Sequence, residues 1–242
     1  MFLFHGLLNL PKNAVKKITP FSMTLSIIIA IGLVLWMLYG YLSVRSVEKP
    51  TYTFIEAKAG GAVSNSSNIE LRQYSTMLVA ETVVDGPYDE AVNNGFRNIA
   101  NYIFGNNTSS ASIGMTSPVL QEPSSQKIAM TTPVLQEQNQ NETYTISFIM
   151  PSKYTMDSIP KPNKSNVQLR EVQDRTLASI SFSGLWTDTK AEKFRKKLVS
   201  ALTADGYQFE PNPQFARYNP PWTPPWMRRN EIWIVVTTQN SQ

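Results

Sequence analysis

The sequence predicts an α+β fold: a curved antiparallel sheet or open barrel that carries two helices, preceded by one membrane-spanning helix. Three observations predict it. A strand-then-helix unit that begins near Ile69 recurs 98 residues later without a gap. Each unit is followed by further strand-like segments, so the chain divides into two similar halves. Residues 18–44 carry no formal charge and are almost wholly apolar.

The N-terminal region divides into a short segment, 1–20, and a transmembrane helix, 21–44. The run "FSMTLSIIIAIGLVLWMLYGYLSV" is long enough to cross a hydrocarbon core of about 30 Å at about 1.5 Å per residue. Pro20 stands near its start, where a helix tolerates proline. Trp36, Tyr39 and Tyr41 crowd the far end, as in an interfacial aromatic belt. The run exceeds the roughly 7–15 apolar residues of a cleaved signal, and no clear small-x-small site follows it. It therefore reads as an uncleaved anchor, with a cleaved signal peptide as the alternative. Lys12, Lys16 and Lys17 precede the span and Arg45 and Lys49 follow it. That small excess favours a cytoplasmic N-terminus, a single pass, and an extracytoplasmic soluble domain.

Residues 45–68 read as a linker, because "KAGGAVSNSSN" is small and polar. The soluble domain is expected over 69–238. Its first strand region is "IELRQYSTMLVAETVVDG", in which Ala80, Thr82 and Val84 share one face. Gly86-Pro87 ends it. "YDEAVNNGFRNIANYIFG" follows as a helix with an apolar stripe of Val92, Phe96, Ile99, Ala100 and Ile103, and with Gly105 at its C-terminal cap.

The second unit starts at Leu169. The shift of 98 places Leu71 on Leu169, Arg72 on Arg170, Ala80 on Ala178, Gly86 on Gly184, Phe96 on Phe194 and Arg97 on Arg195. Tyr88 lands on Trp186. Strand faces and helix faces superpose as well, which an ancient internal duplication explains. Thr189-x-x-Glu192 offers a capping box for the second helix.

Between the units the chain repeats a phrase. Residues 113–122 (IGMTSPVLQE) return as 128–137 (IAMTTPVLQE). Two strands joined by "PSSQK" make a hairpin, either structural or a wall or lid for a site. Near the end, "YNPPWTPPWMRRN" reads as a stiff polyproline-like crossover whose Trp222 and Trp226 pack on the sheet before a last strand, "NEIWIVV".

Charge and composition exclude several functions. The chain has 22 basic and 18 acidic residues, a formal net charge of +4. Lys12, Lys16, Lys17 and Arg45 account for that excess, so the soluble part is formally neutral and offers no general basic surface for nucleic acid. With no Cys, disulfides and thiolate chemistry are absent, and the single His is His5, before the span. G-x-S-x-G, P-loop and G-x-G-x-x-G motifs are absent and carboxylates are scattered, so the chain is expected not to be an enzyme.

Four ordered stretches carry a resemblance: "KIAMTTPV", "ISFIMPSKYTMDSIPKPNKSNVQLREV", "SFSGLW" and "ARYNPPWTPPWMRRNEIWIVV". Together, over about 69–237, they resemble the SOUL/haem-binding protein family, and the doubled phrase resembles its bacterial-type members with an extended loop. The resemblance implies a distorted antiparallel β-barrel of about eight strands with two flanking helices, built from two pseudo-symmetric halves. It also implies that haem or a related tetrapyrrole is bound in an apolar groove. Some members use an axial His, and this soluble domain has none, so binding is expected without a His ligand. The resemblance places a Met of the Met-Thr-x-Pro stretch near the groove, which nominates Met115 and Met130; the plainer alternative is that they fill the core. Arg97 is nominated to reach a propionate, and Tyr102 and Phe104 to stack on the macrocycle. A general binding module for flat hydrophobic ligands, or a partner-binding surface protein, are the alternatives.

Overall fold

The computed structural model describes residues 20–45, 47–123 and 143–237. Its elements are helix α1 (Pro20–Arg45), strands β1 (Tyr52–Ile55), β2 (Ile69–Tyr74) and β3 (Met77–Asp85), helix α2 (Tyr88–Ile103), strands β4 (Val119–Pro123), β5 (Thr143–Ile149), β6 (Gln168–Val172) and β7 (Arg175–Ser183), helix α3 (Asp188–Ala204), and strands β8 (Gln208–Phe209), β9 (Gln214–Arg217) and β10 (Arg229–Thr237). The second Met-Thr-x-Pro-Val phrase, with Met130, lies outside the described residues.

The 98-residue shift holds in three dimensions: β3 begins at 77 and ends at 85, and β7 begins at 175 and ends at 183. The strands join one antiparallel sheet in the order β1-β2-β7-β10-β9-β4-β5-β3-β6, with β8 added on β10. Without β1 and β8, the order reads the same from both ends once each strand is exchanged for its counterpart in the other half. β4 and β9 form the central pair.

The sheet must curl. β2 and β3 are joined through Ser75 and Thr76 alone, yet β2 pairs with β7 while β3 pairs with β5 and β6. Three Cα steps span roughly 11 Å at most, so strands near opposite ends of the sheet are drawn together. The β6–β7 connection, through Gln173 and Asp174, does the same for the other half. The core confirms the curl. One buried cluster takes Tyr74, Met77, Val79, Leu120, Ile149, Val172, Leu177, Ala216 and Trp233, one or two residues from each of the eight repeated strands. These fill the interior. The alternate side chains face outward, where α2 covers one half with Ile99, Tyr102 and Ile103, and α3 covers the other with Leu198, Ala201 and Leu202.

Local chemistry explains the helix ends. Gly105 has φ +116° just beyond α2, and its N–H reaches the Tyr102 carbonyl, a role that favours glycine. α3 is capped by Thr187, whose hydroxyl accepts from the Lys190 N–H; the expected box at Thr189 is displaced by two residues because the helix starts earlier. The buried stripe of α2 is Ala91, Gly95, Ile99, Tyr102 and Ile103, turned from the expected one. Gly95 causes the turn. A Cβ there would run into the Ile146 side chain, so the helix approaches β5 along its glycine face and leaves Phe96 at the margin, its ring 5.3 Å from Phe148.

Two segments differ from expectation. Within 45–68, read as a linker, β1 pairs with β2 and sets Tyr52 against Tyr74. Val63 is buried, and the Ala62 and Val63 N–H groups donate to the Asp205 carboxylate at 2.7 and 2.9 Å. Small polar residues here make tight turns against the domain rather than a free tether. The Trp/Pro segment forms turns and one short 3₁₀ turn, Pro225–Met227, and the expected covering of Trp222 and Trp226 against the sheet does not occur. They stay half exposed beside α1, where the Trp36 indole N–H donates to the Trp222 carbonyl at 2.7 Å.

Candidate functional site

The residues nominated from sequence are dispersed. Arg97 projects to solvent from α2. Tyr102 is buried in the α2 half-core, its hydroxyl donates to the Pro160 carbonyl at 2.7 Å, and burial pushes its phenol up to about 12. Five residues turn a helix through about 140°, so Arg97 and Tyr102 do not face a common ligand. Phe104 caps α2 and is exposed. Met115, 38% exposed, precedes Thr116, which lines a cleft of about 390 Å³ together with Met77, Met150 and Tyr154.

A different constellation forms where the halves meet. In the β4–β9 register Val119 faces Arg217, Leu120 faces Ala216 and Gln121 faces Phe215. Leu120 and Ala216 point into the interior, so strand alternation sends Val119, Gln121, Phe215 and Arg217 to the helix side. Over that floor stand the two residues that the 98-residue shift pairs. Tyr88 opens α2, and Trp186 precedes α3 by two positions. The Tyr88 hydroxyl donates to Gln121 Oε1 at 2.7 Å. The Arg217 guanidinium lies 4.9 Å from the Trp186 ring centroid and 6.0 Å from that of Tyr88, and Trp186 meets Phe215 edge-on at 5.1 Å. A cation is thus set between two aromatic walls at the pseudo-two-fold seam.

The hydrogen bonding of this seam is incomplete. Arg217 Nη2 donates to the Tyr88 hydroxyl at 3.4 Å, but Arg217 Nε and Trp186 Nε1 are buried with no partner. Buried donors are nearly always paired, and an unpaired one costs about 1–3 kcal/mol. Both donors are sealed from solvent in this conformation, so an acceptor from outside the chain reaches them only when the surrounding side chains shift. Burial raises the Tyr88 phenol and outweighs the opposing pull of Arg217, so this hydroxyl stays neutral and serves as a donor.

The aromatic contacts continue into the half-core under α3, where Phe182 of β7 is buried. Trp186 meets Phe182 at 5.6 Å, and Phe182 stacks on Phe194 at 4.5 Å with an interplanar angle of 9°. Phe182 and Phe194 line a cleft of about 740 Å³ with Lys190, Arg228, Arg229 and Glu70 among its other walls. It is a shallow depression, wide open to solvent, rather than an enclosed pocket. Glu70 is paired with Arg72, and Arg229 with Glu231. Lys190 donates to the Ser183 carbonyl and Arg228 to those of Thr223 and Pro221, which hold the side chains without neutralising them. The Lys190 and Arg228 charges therefore favour an anion here, at the edge of a Phe182–Phe194 stack whose Phe182 ring is buried.

This fits a tetrapyrrole: rings to stack on the macrocycle, cations and unpaired N–H donors for its carboxylates. Among the described residues no group of three or more His, Cys, Asp or Glu side chains is placed to hold a metal ion. The sequence held one hint of the seam, the coincidence of Tyr88 with Trp186. Nothing marked Arg217, whose place depends on the β4–β9 pairing.

Comparisons with known proteins agree with this architecture. The family model described as SOUL heme-binding protein matches residues 47–125 and 121–235. Human heme-binding protein 2 is 30% identical over 195 residues, covering 79% of this chain and 87% of the relative. Heme-binding protein 1 of Xenopus laevis is 28% identical over 190 residues, covering 75% and 92%. The C-terminal domain of EcmrR has the same fold, with a TM-score of 0.50 at 10% identity over 71% of this chain and 98% of that one. With a curled sheet built from two repeated halves and a family match across nearly all of it, the chain belongs to the SOUL heme-binding protein family.

Proposed function

We propose that the domain binds haem or a closely related tetrapyrrole along the Tyr88–Trp186–Phe182–Phe194 surface, without a His ligand. One observation carries the reading: Arg217 stands between Trp186 and Tyr88 with its Nε, and the neighbouring Trp186 Nε1, buried and unpaired. When bound, haem supplies an iron-bearing macrocycle with strong visible absorption. The chain supplies stacking rings, pairing for the carboxylates from Arg217, Lys190 and Arg228, and a half-buried surface that excludes water. These groups bind and orient; the reading is of a carrier or sensor rather than a catalyst. The names of the vertebrate relatives support the choice of ligand.

The same reading makes α1 a single-pass anchor with the domain on the extracytoplasmic side. Its 26 residues rise about 39 Å, enough to span a bilayer, and Lys12, Lys16 and Lys17 precede it. Titration of the detergent-solubilised full chain with haemin, read by absorbance and by Trp emission, tests the ligand. A saturable one-to-one Soret band with matching loss of emission is expected. Absorbance that rises linearly without saturation would remove the haem reading.

A further inference from the structure

The ligand surface leaves unexplained the Pro- and Trp-rich segment between β9 and β10. Trp222 and Trp226 are 50% and 57% exposed, although indoles of this size are normally covered. Their main chain is rigidly built. Thr223 is buried, Arg228 donates to the Thr223 and Pro221 carbonyls, and Pro225–Met227 form a single 3₁₀ turn. A loop this well braced presents its indoles deliberately, and its neighbour indicates to what. The Trp36 indole N–H donates to the Trp222 carbonyl, and the Trp36 and Trp226 rings meet edge-on at 5.8 Å. One helical turn further along α1, Gly40 is buried under the loop, and a Cβ there would lie 2.7 Å from Pro224 Cδ. The loop is thus seated on the last third of an otherwise apolar, exposed helix. Trp36, Tyr39 and Tyr41 lie there, and Arg45 and Lys49 follow just beyond.

Trp and Tyr concentrate at the boundary between hydrocarbon and headgroups, and Lys and Arg concentrate just outside it. We propose that Trp222 and Trp226 form a foot that inserts into the lipid interface beside α1. The foot holds Arg228 and Arg229, two and three residues after Trp226, at the level of the lipid phosphates. Those two arginines also line the 740 Å³ cleft, so the cleft opens at the membrane surface and takes an amphipathic ligand that has partitioned into the lipid. The proposal rests on the reading of α1 as a membrane span. It commits to lipid, not to a protein partner, because the flanking element is itself an apolar helix and the adjoining charges are cationic.

The chain has no Cys, so single cysteines report without a background. Trp222→Cys, Trp226→Cys and Tyr39→Cys, each in the full chain and labelled with an environment-sensitive dye, are reconstituted into phosphatidylcholine–phosphatidylglycerol vesicles. The vesicles carry nitroxide lipids labelled at shallow or deep positions. Dyes at 222 and 226 are expected to be quenched more by the shallow label than by the deep one. Quenching at 39 with none at 222 and 226 would overturn the foot and leave the anchor standing. No quenching at 39 would overturn the anchor, and the foot with it. The unlabelled Trp222→Phe/Trp226→Phe chain guards against dyes that displace the loop. The fraction of Trp emission quenched by the shallow lipid should fall in it, and an unchanged fraction contradicts the proposal.

Discussion

The Arg72 guanidinium and the Glu231 carboxylate meet at 2.9 Å inside the curled sheet, with 1% and 0% of their side chains exposed. Glu231 also accepts from Arg229 Nε at 2.8 Å, the Tyr218 hydroxyl at 2.6 Å and Trp233 Nε1 at 2.6 Å. These residues come from β2 and from the β9–β10 region, so the pair ties strands of both halves. Removing Glu231 leaves the buried Arg72 with Glu70, which is 39% exposed, as its one remaining ion-pair partner among the described residues, so the loss approaches but does not exceed the roughly 3–5 kcal/mol of a fully broken buried pair. Glu231→Gln, nearly the same shape, is expected to lower unfolding stability by about that amount in guanidinium denaturation. A loss below about 1 kcal/mol would show that the network relaxes around the missing charge.

Acid should act through the same carboxylate. Burial alone would raise its pKa, but the hydrogen bond and charge of Arg72, helped by Arg229 and Tyr218, hold it at about 2, below its ordinary 4.5. A depressed carboxylate contributes stability that is complete above the unfolded value and is lost as pH falls through the folded one. Stability should therefore decline from about pH 5 toward pH 2, and Glu231→Gln should flatten that decline. Parallel acid profiles for the two chains would assign the acid sensitivity elsewhere.

Gly95 sets how closely α2 approaches β5. With Ala, the new Cβ would sit 2.8 Å from Ile146 Cβ, on a side chain that is fully buried. Overpacking of this kind costs about 1–3 kcal/mol, more than the roughly 1 kcal/mol that Ala gains in helix propensity. Gly95→Ala should lower the melting temperature, whereas Asn94→Ala, on the exposed side of the same helix, should leave it unchanged or raise it slightly.

Asp205 secures the segment that precedes the first long strand. Hydrogen bonds from the Val63 and Ala62 N–H groups hold its carboxyl below the usual range. Asp205→Ala is expected to speed proteolytic cleavage and amide exchange across residues 58–66 while the rest of the domain keeps its protection. Uniform protection in both chains would mean that the burial of Val63 suffices.

The duplication was legible because secondary structure follows periodicity, and the strand and helix faces of both halves repeat in phase. Strand β1 is not: only four residues of "TYTFIE", Tyr52–Ile55, are paired, beside a Gly- and Ser-rich stretch, and their order depends on strand β2, while that of Ala62 and Val63 depends on the remote Asp205. Trp222 and Trp226 looked like sheet-packing residues because composition does not tell a core indole from one that meets another helix. Among the nominated site residues, Tyr102 is absorbed by the α2 half-core, where helical spacing predicts a core role as readily as a stacking one. Arg217, a lone Arg on a short strand, has no sequence signature; only the register with Val119 brings it to the seam.

The central claim is that a tetrapyrrole is held at the seam by Arg217. Haemin affinity of the full chain, compared with that of Arg217→Gln and Arg97→Gln, tests it most directly. A lost charge-assisted hydrogen bond of about 1.5–3 kcal/mol weakens binding roughly ten- to a hundredfold in Arg217→Gln, while Arg97→Gln, on the solvent side of α2, binds as the parent does. Equal affinity in all three chains, or a loss confined to Arg97→Gln, would contradict the site.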